Sequence, residues 1–321
     1  MPASYSYTSC SATRQACSVY LKNRLRRCYF LDPSKAAVGD QFPVLPSDRQ
    51  ALRSGIIPLL IASPSRSIKV QLSNALRSII SNDFPSQWPN LLDDTKRLLN
   101  SSEIREVETG LTVLLEIVKA FRCAIYYYFF ATDEQLAPHR YRQLDRLTPQ
   151  IVEQTFPTIV NIGTQLLQSP PTPLTPQSPE IPHLLHLILK IYKSTLVNNL
   201  SQHQQTAESI VPWGRLFFAV VNLPISPDAL PQDETERERS EWWKAKKWAY
   251  GTLDRLFHRF GSPSQLPSPL KEYMPFAEHF VTTFAPEIIK TYLHQLELYA
   301  SGQVWLSRKC QYLIFQFLTE W

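Results

Sequence analysis

The sequence predicts an all-α chain, a right-handed α-α superhelix built from stacked helix pairs, and three observations carry that expectation. Its 321 residues include 26 prolines and only 8 glycines. Sheet-rich and phosphate-cradling folds need glycine for turns and close backbone approach, whereas proline opens the first turn of a helix and disfavours its interior. Apolar residues recur at helical spacing in segment after segment, and no Asn-Gly hairpin signal or strand alternation interrupts them. The third observation is a hydrophobic content of 44%, enough for a sizeable core.

Taken in order, the first helix is expected over Thr13 to Phe30, with Ala16, Val19 and Tyr20 inward and Lys22, Arg24, Arg26 and Arg27 on a basic outer face. A second starts at Ser47 or Asp48, carries the stripe Leu52, Ile56, Leu59 and Leu60, is weakened by Gly55 and Pro58, and ends near Ser63-Pro64. From Ser67 the spacing of Ile68, Leu72, Ala75, Leu76, Ile79 and Ile80 is that of an amphipathic helix. The next pair is expected over Pro85 to Asn100 and Ser102 to Phe130. Within it, Leu111 to Phe130 is apolar, yet Glu116, Lys119 and Arg122 make it a buried helix and not a bilayer span. Helices follow over His139 to Gln168 and Ile181 to Leu200, separated by the proline-rich loop Ser169 to Pro179. Ser209 to Val221, an irregular acidic stretch over Pro224 to Arg239, and a long helix over Ser240 to Phe260 come next. The last pair spans Lys271 to Ala300 and Gln303 to Trp321.

Successive helix pairs of roughly 40 residues without strict sequence identity are the pattern of a HEAT- or armadillo-like solenoid. It is expected over residues 13–321, with Met1 to Ala12 as a disordered leading segment. An unpaired first helix and a helical pattern running to Glu320-Trp321 are expected to mark a piece of a longer array.

The net charge of +5 is spread along the chain and predicts no direct nucleic-acid partner. Five cysteines without a C-x-x-C pair fit a reducing compartment, and the polar start lacks the apolar core of a signal peptide. His183 and His186 stand three positions apart, a spacing that directs two rings to one metal, but no second Cys, His or carboxylate cluster lies nearby in sequence to complete a site. Cys123 sits on an apolar helix where a free thiol is a small core residue. Phosphate-loop, dinucleotide, zinc-protease and nucleophile-elbow motifs are all absent. The expectation is a protein-binding scaffold with no catalytic, cofactor or metal site, and not an enzyme.

Two motifs go further. Asp83-Phe84-Pro85-Ser86-Gln87-Trp88-Pro89 combines a helix stop, a helix-starting proline and a tryptophan one turn on, a device that fixes the angle between consecutive pairs. Trp242-Trp243-Lys244-Ala245-Lys246-Lys247-Trp248-Ala249 continues through Leu256-Phe257-His258-Arg259-Phe260-Gly261-Ser262-Pro263. Helical spacing puts Trp248 on a core stripe with Ala245, Leu256 and Phe260, leaving Lys244, Lys246 and Lys247 on an accessible face. The first motif resembles the D-[FY]-P-x-x-W-P signature of the importin-β superfamily of nuclear transport receptors. The other, beginning at Trp242, is similar to the tryptophan-rich stretch of one branch, the importin seven and eight group with its fungal relatives. Arg14-Gln15-Ala16 and Tyr20-Leu21-Lys22-Asn23 are similar to that family's early repeats, so the resemblance spans Thr13 to Trp321.

The resemblance implies a receptor that shuttles between cytoplasm and nucleus. It would bind protein cargo, cross the pore on Phe-Gly nucleoporins and release cargo to Ran-GTP, with no cofactor. It places the Ran-GTP surface on the second helices of the early pairs, here those carrying Lys22, Lys69 and Arg105, with Lys22, Arg26, Lys69 and Arg77 as candidate contacts. Two alternatives compete from the residues alone: a HEAT-repeat scaffold outside transport, and an RNA-binding helical-repeat protein in which Lys244, Lys246 and Lys247 sit among rings that stack on bases. If Trp88 is wedged between helices, Trp88→Ala costs about 3–5 kcal/mol in chemical denaturation, whereas an exposed docking ring costs little.

Overall fold

A computed structural model describes residues 11–29, 42–63, 65–130, 137–168, 180–196, 200–225 and 231–320. Among the described residues there is no strand. Fourteen α-helices are seen there: α1 (Ser11–Cys28), α2 (Pro46–Ala62), α3 (Arg66–Asp83), α4 (Leu91–Leu99), α5 (Ile104–Phe130), α6 (Ala137–Gln168), α7 (Glu180–Thr195), α8 (Gln202–Gln205), α9 (Ala207–Asn222), α10 (Glu234–Arg239), α11 (Glu241–Phe260), α12 (Met274–His279), α13 (Ala285–Ala300) and α14 (Arg308–Glu320). The chain divides into two compact units, Met1–Ala124 and Ile125–Trp321. The first ten residues of the expected leading segment, the loop 169–179 and residues 226–230 of the acidic stretch lie outside the described residues, as does the side chain of Cys123. Ser11 and Ala12 form the first turn of α1.

In the first unit α3 is the central element, packed against α1 and α2. Its stripe Leu72, Ala75, Leu76, Ile79 and Ile80 is buried, as the period-3.6 pattern requires. Gly110 lets α5 approach α4: a Cβ there would lie 3.1 Å from Leu98 Cβ and from the Leu99 backbone nitrogen. On α1 the buried face is Ser18, Leu25 and Cys28, while Ala16 is exposed and Tyr20 is 71% exposed, so the expected inward placement of both is wrong.

The second unit is two rows of helices. α11 lies between α7 and α14, and also against α9; α9 in turn touches α6 and α13. Phe156, Tyr192, Trp213 and Phe217 join α6, α7 and α9 through ring centroids 4.5–5.8 Å apart. Tyr250, Phe257, Tyr292 and Phe317 do the same for α11, α13 and α14.

Several boundaries differ from the expectation for identifiable reasons. Residues 84–90 form a corner and not the start of a helix, because the Asp83 carbonyl accepts from Gln87 N at 2.7 Å and Trp88 N at 3.1 Å and turns the chain; α4 therefore begins at Leu91. The acidic stretch holds a short helix, α10, whose Asp233 side chain accepts from Glu236 N at 2.8 Å. The helix expected over Lys271 to Ala300 is continuous from Met274, α12 passing into α13 through a widened π-helical turn, Phe280–Phe284. Pro286 at the start of α13 has no N–H to offer the preceding turn, which widens instead. Conversely Pro58, Pro149, Pro157 and Pro212 lie inside α2, α6 and α9, so proline is a weaker boundary mark here than its chemistry alone suggests. Each forfeits one backbone bond, which the flanking helix packing outweighs.

That packing is tight where α9 meets the π-helical turn. A Cβ on Gly214 would lie 2.2 Å from Phe284 Cε1, and the Phe284 ring is itself buried. Overpacking costs about 1–3 kcal/mol while alanine returns about 1 kcal/mol of helix propensity. Gly214→Ala is therefore expected to lower the thermal midpoint, where the same exchange on an exposed helix raises it.

Candidate protein-binding surfaces

The corner between α3 and α4 is locked from within. Asp83 is 1% exposed; Tyr29 Oη donates to its Oδ2 at 2.5 Å and Arg53 Nη1 donates to the same oxygen at 2.6 Å. Burial, followed by the Asp83 contact, drives the Tyr29 hydroxyl far above its ordinary pKa, so it remains a donor. Phe84 and Trp88 are both buried beside it, and Pro85 is half-buried. Trp88 also lines a groove of about 480 Å³ between α2 and α4, together with the apolar Ile57, Ile61 and Leu98 and the charged Arg53, Arg97, Asp94 and Glu106. A lining that mixes apolar side chains with charges of both signs suits a short peptide carrying an apolar side chain.

On α3, two of the expected basic contacts are engaged within the unit. Lys69 pairs with Glu108 of α5 at 2.6 Å and Arg77 with Glu116 at 2.5 Å, and Glu116, 2% exposed, also holds Lys119 at 2.6 Å. Lys22 is half-buried on α1 and Arg26 is exposed in its last turn. Sequence reasoning named the four cations but not the glutamates that neutralise two of them. Lys22 and Arg26 lie one turn apart on α1, on a different helix from that pair.

The tryptophan-rich motif is the start of α11. Ser240 caps it by accepting from Trp243 N at 3.4 Å. Trp242 and Trp243 are buried. The Trp243 ring meets Trp305 edge-on at 4.7 Å, with Arg237 5.0 Å from the Trp305 centroid and Lys246 5.5 Å from that of Trp243, a layered stack of cations and rings. Here the expectation needs two corrections. Lys246 is only 3% exposed, donating to the Val221 carbonyl at 3.0 Å, whereas Trp248 is half-buried on the surface. Position 246 follows Trp242 by one turn and shares its buried side, while position 248 faces α7, where His186 stacks on the ring and Lys190 and Lys193 each sit 5.6 Å from its centroid. Lys247 is exposed and Lys244 is bonded to Glu241 at 2.8 Å. With Trp242 and Trp243 buried and the Trp248 ring occupied by lysines, the motif is a packing device more than a base-stacking platform.

Glu241 is also what sequence spacing could not supply to His183 and His186. It lies 55 residues beyond His186, and its Oε2 is 3.2 Å from His183 Nδ1 and 3.1 Å from His186 Nδ1. Burial, against the opposing pull of Glu241, holds His186 below the ordinary imidazole pKa.

Comparison with known proteins follows the same lines. The family model described as Exportin 1-like protein matches residues 65–208. Human importin-8 is 30% identical over 289 residues, 89% of this chain and 25% of the relative. The importin beta-like SAD2 homolog of Arabidopsis thaliana is 30% identical over 310 residues, 96% of this chain and 27% of the relative. The solved structure titled "The exportin Cse1 in its cargo-free, cytoplasmic state" superposes with a TM-score of 0.64 at 18% identity, covering 91% of this chain and 27% of that one, a likeness of fold. The chain thus spans about a quarter of the length of the curated relatives it matches.

The buried Lys246 has a measurable signature. Burial pushes its ammonium from 10.5 down to about 8. The folded state therefore sheds this proton before the unfolded chain does, and stability gains up to about 1.4 kcal/mol per pH unit as pH rises through 8. Above 9 the buried Cys310 thiol, pushed up to about 11, acts in the opposite sense. Between pH 7.5 and 9 the urea midpoint should rise, and Lys246→Met should flatten that rise.

Proposed function

Because this chain belongs to the importin-β superfamily of nuclear transport receptors, we propose that it works as a karyopherin of the importin seven and eight kind, carrying protein cargo between cytoplasm and nucleus under the control of Ran-GTP. The observation that carries the reading is that both signature segments have a defined structural role. Asp83 to Trp88 closes the α3–α4 corner, and Trp242 to Phe260 forms the helix at the centre of the second unit. Importins and exportins are transport receptors and not enzymes, and the reading asks for no covalent chemistry.

A stack of helix pairs suits such a cycle. Each pair touches only its neighbours, so small adjustments add along the array, and a ligand favouring one curvature opposes a ligand favouring another through linkage. The groove beside Trp88, where Ile57, Pro58, Ile61 and Leu98 stand among polar and charged side chains, is the place on this reading for a Phe-Gly repeat to dock. The second helices α1 and α3 carry Lys22, Arg26, Lys69 and Arg77, and we assign the exposed Arg26 as the first of these to meet Ran-GTP.

Immobilised Ran loaded with GTP or GDP and presented with the 321-residue chain tests this directly. Preferential capture by the GTP form is expected, with Arg26→Glu slowing association several-fold and the loss growing at low salt. Equal or absent capture by both forms would sink the Ran-regulated reading, and salt-resistant retention of structured RNA would favour the RNA-binding one.

A further inference from the structure

The groups gathered where α7 meets the first turn of α11 go beyond transport. We propose that His183, His186 and Glu241 form a site for a zinc-class divalent ion that pins the start of α11 to α7. The two histidines, three residues apart, leave one side of α7, and Glu241 enters from across the helix interface. Zinc bonds of ~2.0–2.2 Å set tetrahedral ligand atoms ~3.3–3.6 Å apart. Glu241 Oε2 already stands 3.2 Å from one imidazole nitrogen and 3.1 Å from the other, and all three ligand atoms lie within 4.8 Å of one another. The remaining edge, imidazole to imidazole, is no longer than 4.8 Å and shortens on turning the more exposed His183 ring.

The surroundings are those of a metal site more than of a simple ion pair. Both imidazoles converge on one carboxylate oxygen, while the other oxygen, Oε1, accepts from Lys244 Nζ at 2.8 Å. An outer hydrogen bond of that kind fixes a ligating carboxylate in orientation. Trp248 stacks on the His186 ring at 6.2 Å and holds it in place. The three side chains are 10–21% exposed, open enough for an ion to enter and enclosed enough to strengthen its bonds. Two nitrogens and one oxygen suit Zn²⁺ or Co²⁺ and are a poor set for the oxygen-seeking Mg²⁺ and Ca²⁺. Three protein ligands leave the fourth position to water. Because the two ligand-bearing segments lie 55 residues apart, the ion would act as a cross-link between neighbouring helices of one row.

The test is a titration of the metal-free 321-residue chain with Zn²⁺ against a chromophoric chelator, followed by Co²⁺ spectroscopy and thermal melts. One equivalent is expected to bind, to raise the melting temperature, and to give visible Co²⁺ bands without a thiolate charge-transfer band. His183→Asn, at the most exposed ligand, and Glu241→Gln, which keeps size, should each weaken Zn²⁺ by ~10-fold or more, with the metal-free melt showing that the fold persists. Absence of stoichiometric uptake, affinity unchanged in both variants, or a thiolate band pointing to the cysteines would each overturn the assignment.

Discussion

The second unit depends on the burial of α11 along three flanks at once, against α7 and α14 in its own row and against α9 in the other. A helix apolar along a single stripe can complete a bundle, but one covered on three flanks must carry large residues around most of its circumference. That is why Trp242, Trp243, Tyr250, Leu253, Leu256, Phe257 and Phe260 occur within one twenty-residue helix. It is also why a lysine is caught inside, its ammonium set beside the Trp243 ring and bonded to a backbone carbonyl. Arg259 extends the scheme by donating to the Leu196 carbonyl just past the end of α7, a cation at the negative pole of a helix.

Much of this was legible in the residues, and where it was not the cause is specific. The stripe from Leu72 to Ile80 lies on a helix with one buried face, so period alone finds both the helix and its inward side. On α11 period alone fails, because residues are covered on several flanks; Lys246 and Trp248 exchange the places that amphipathicity assigns them. On α1 the inward face is built from Ser18 and Cys28 as well as Leu25, so ranking by hydrophobicity selected Tyr20 in error. The His183, His186 and Glu241 cluster was half visible: local spacing gave the two rings, but a ligand contributed by the adjacent repeat leaves no trace within a helical turn.

The binding surfaces follow from the same division of labour. Residues that face neighbouring helices are committed to the array, and the signature segments belong mostly to this group. What stays outside that commitment is the groove beside Trp88 and cations such as Arg26, which lie apart from the ion pairs between α3 and α5. A family can therefore keep its structural motifs while its surfaces diverge, and motif resemblance names the architecture more readily than the cargo.

The two ion pairs between α3 and α5 also act as a ruler. Lys69 to Glu108 and Arg77 to Glu116 have the same sequence separation, 39 residues. The rungs are eight residues apart on both helices, so α3 and α5 run parallel with matched rise, ~12 Å between rungs. An axial slip of one turn would set both basic residues against the wrong side chains at once. The offset equals one repeat, so the charges record its length independently of any apolar pattern. Residues added in the loops between these helices would leave both rungs intact. One residue inserted between Glu108 and Glu116 would swing the lower carboxylate about 100° away from Arg77, so length variation within this part of the array is confined to the connections.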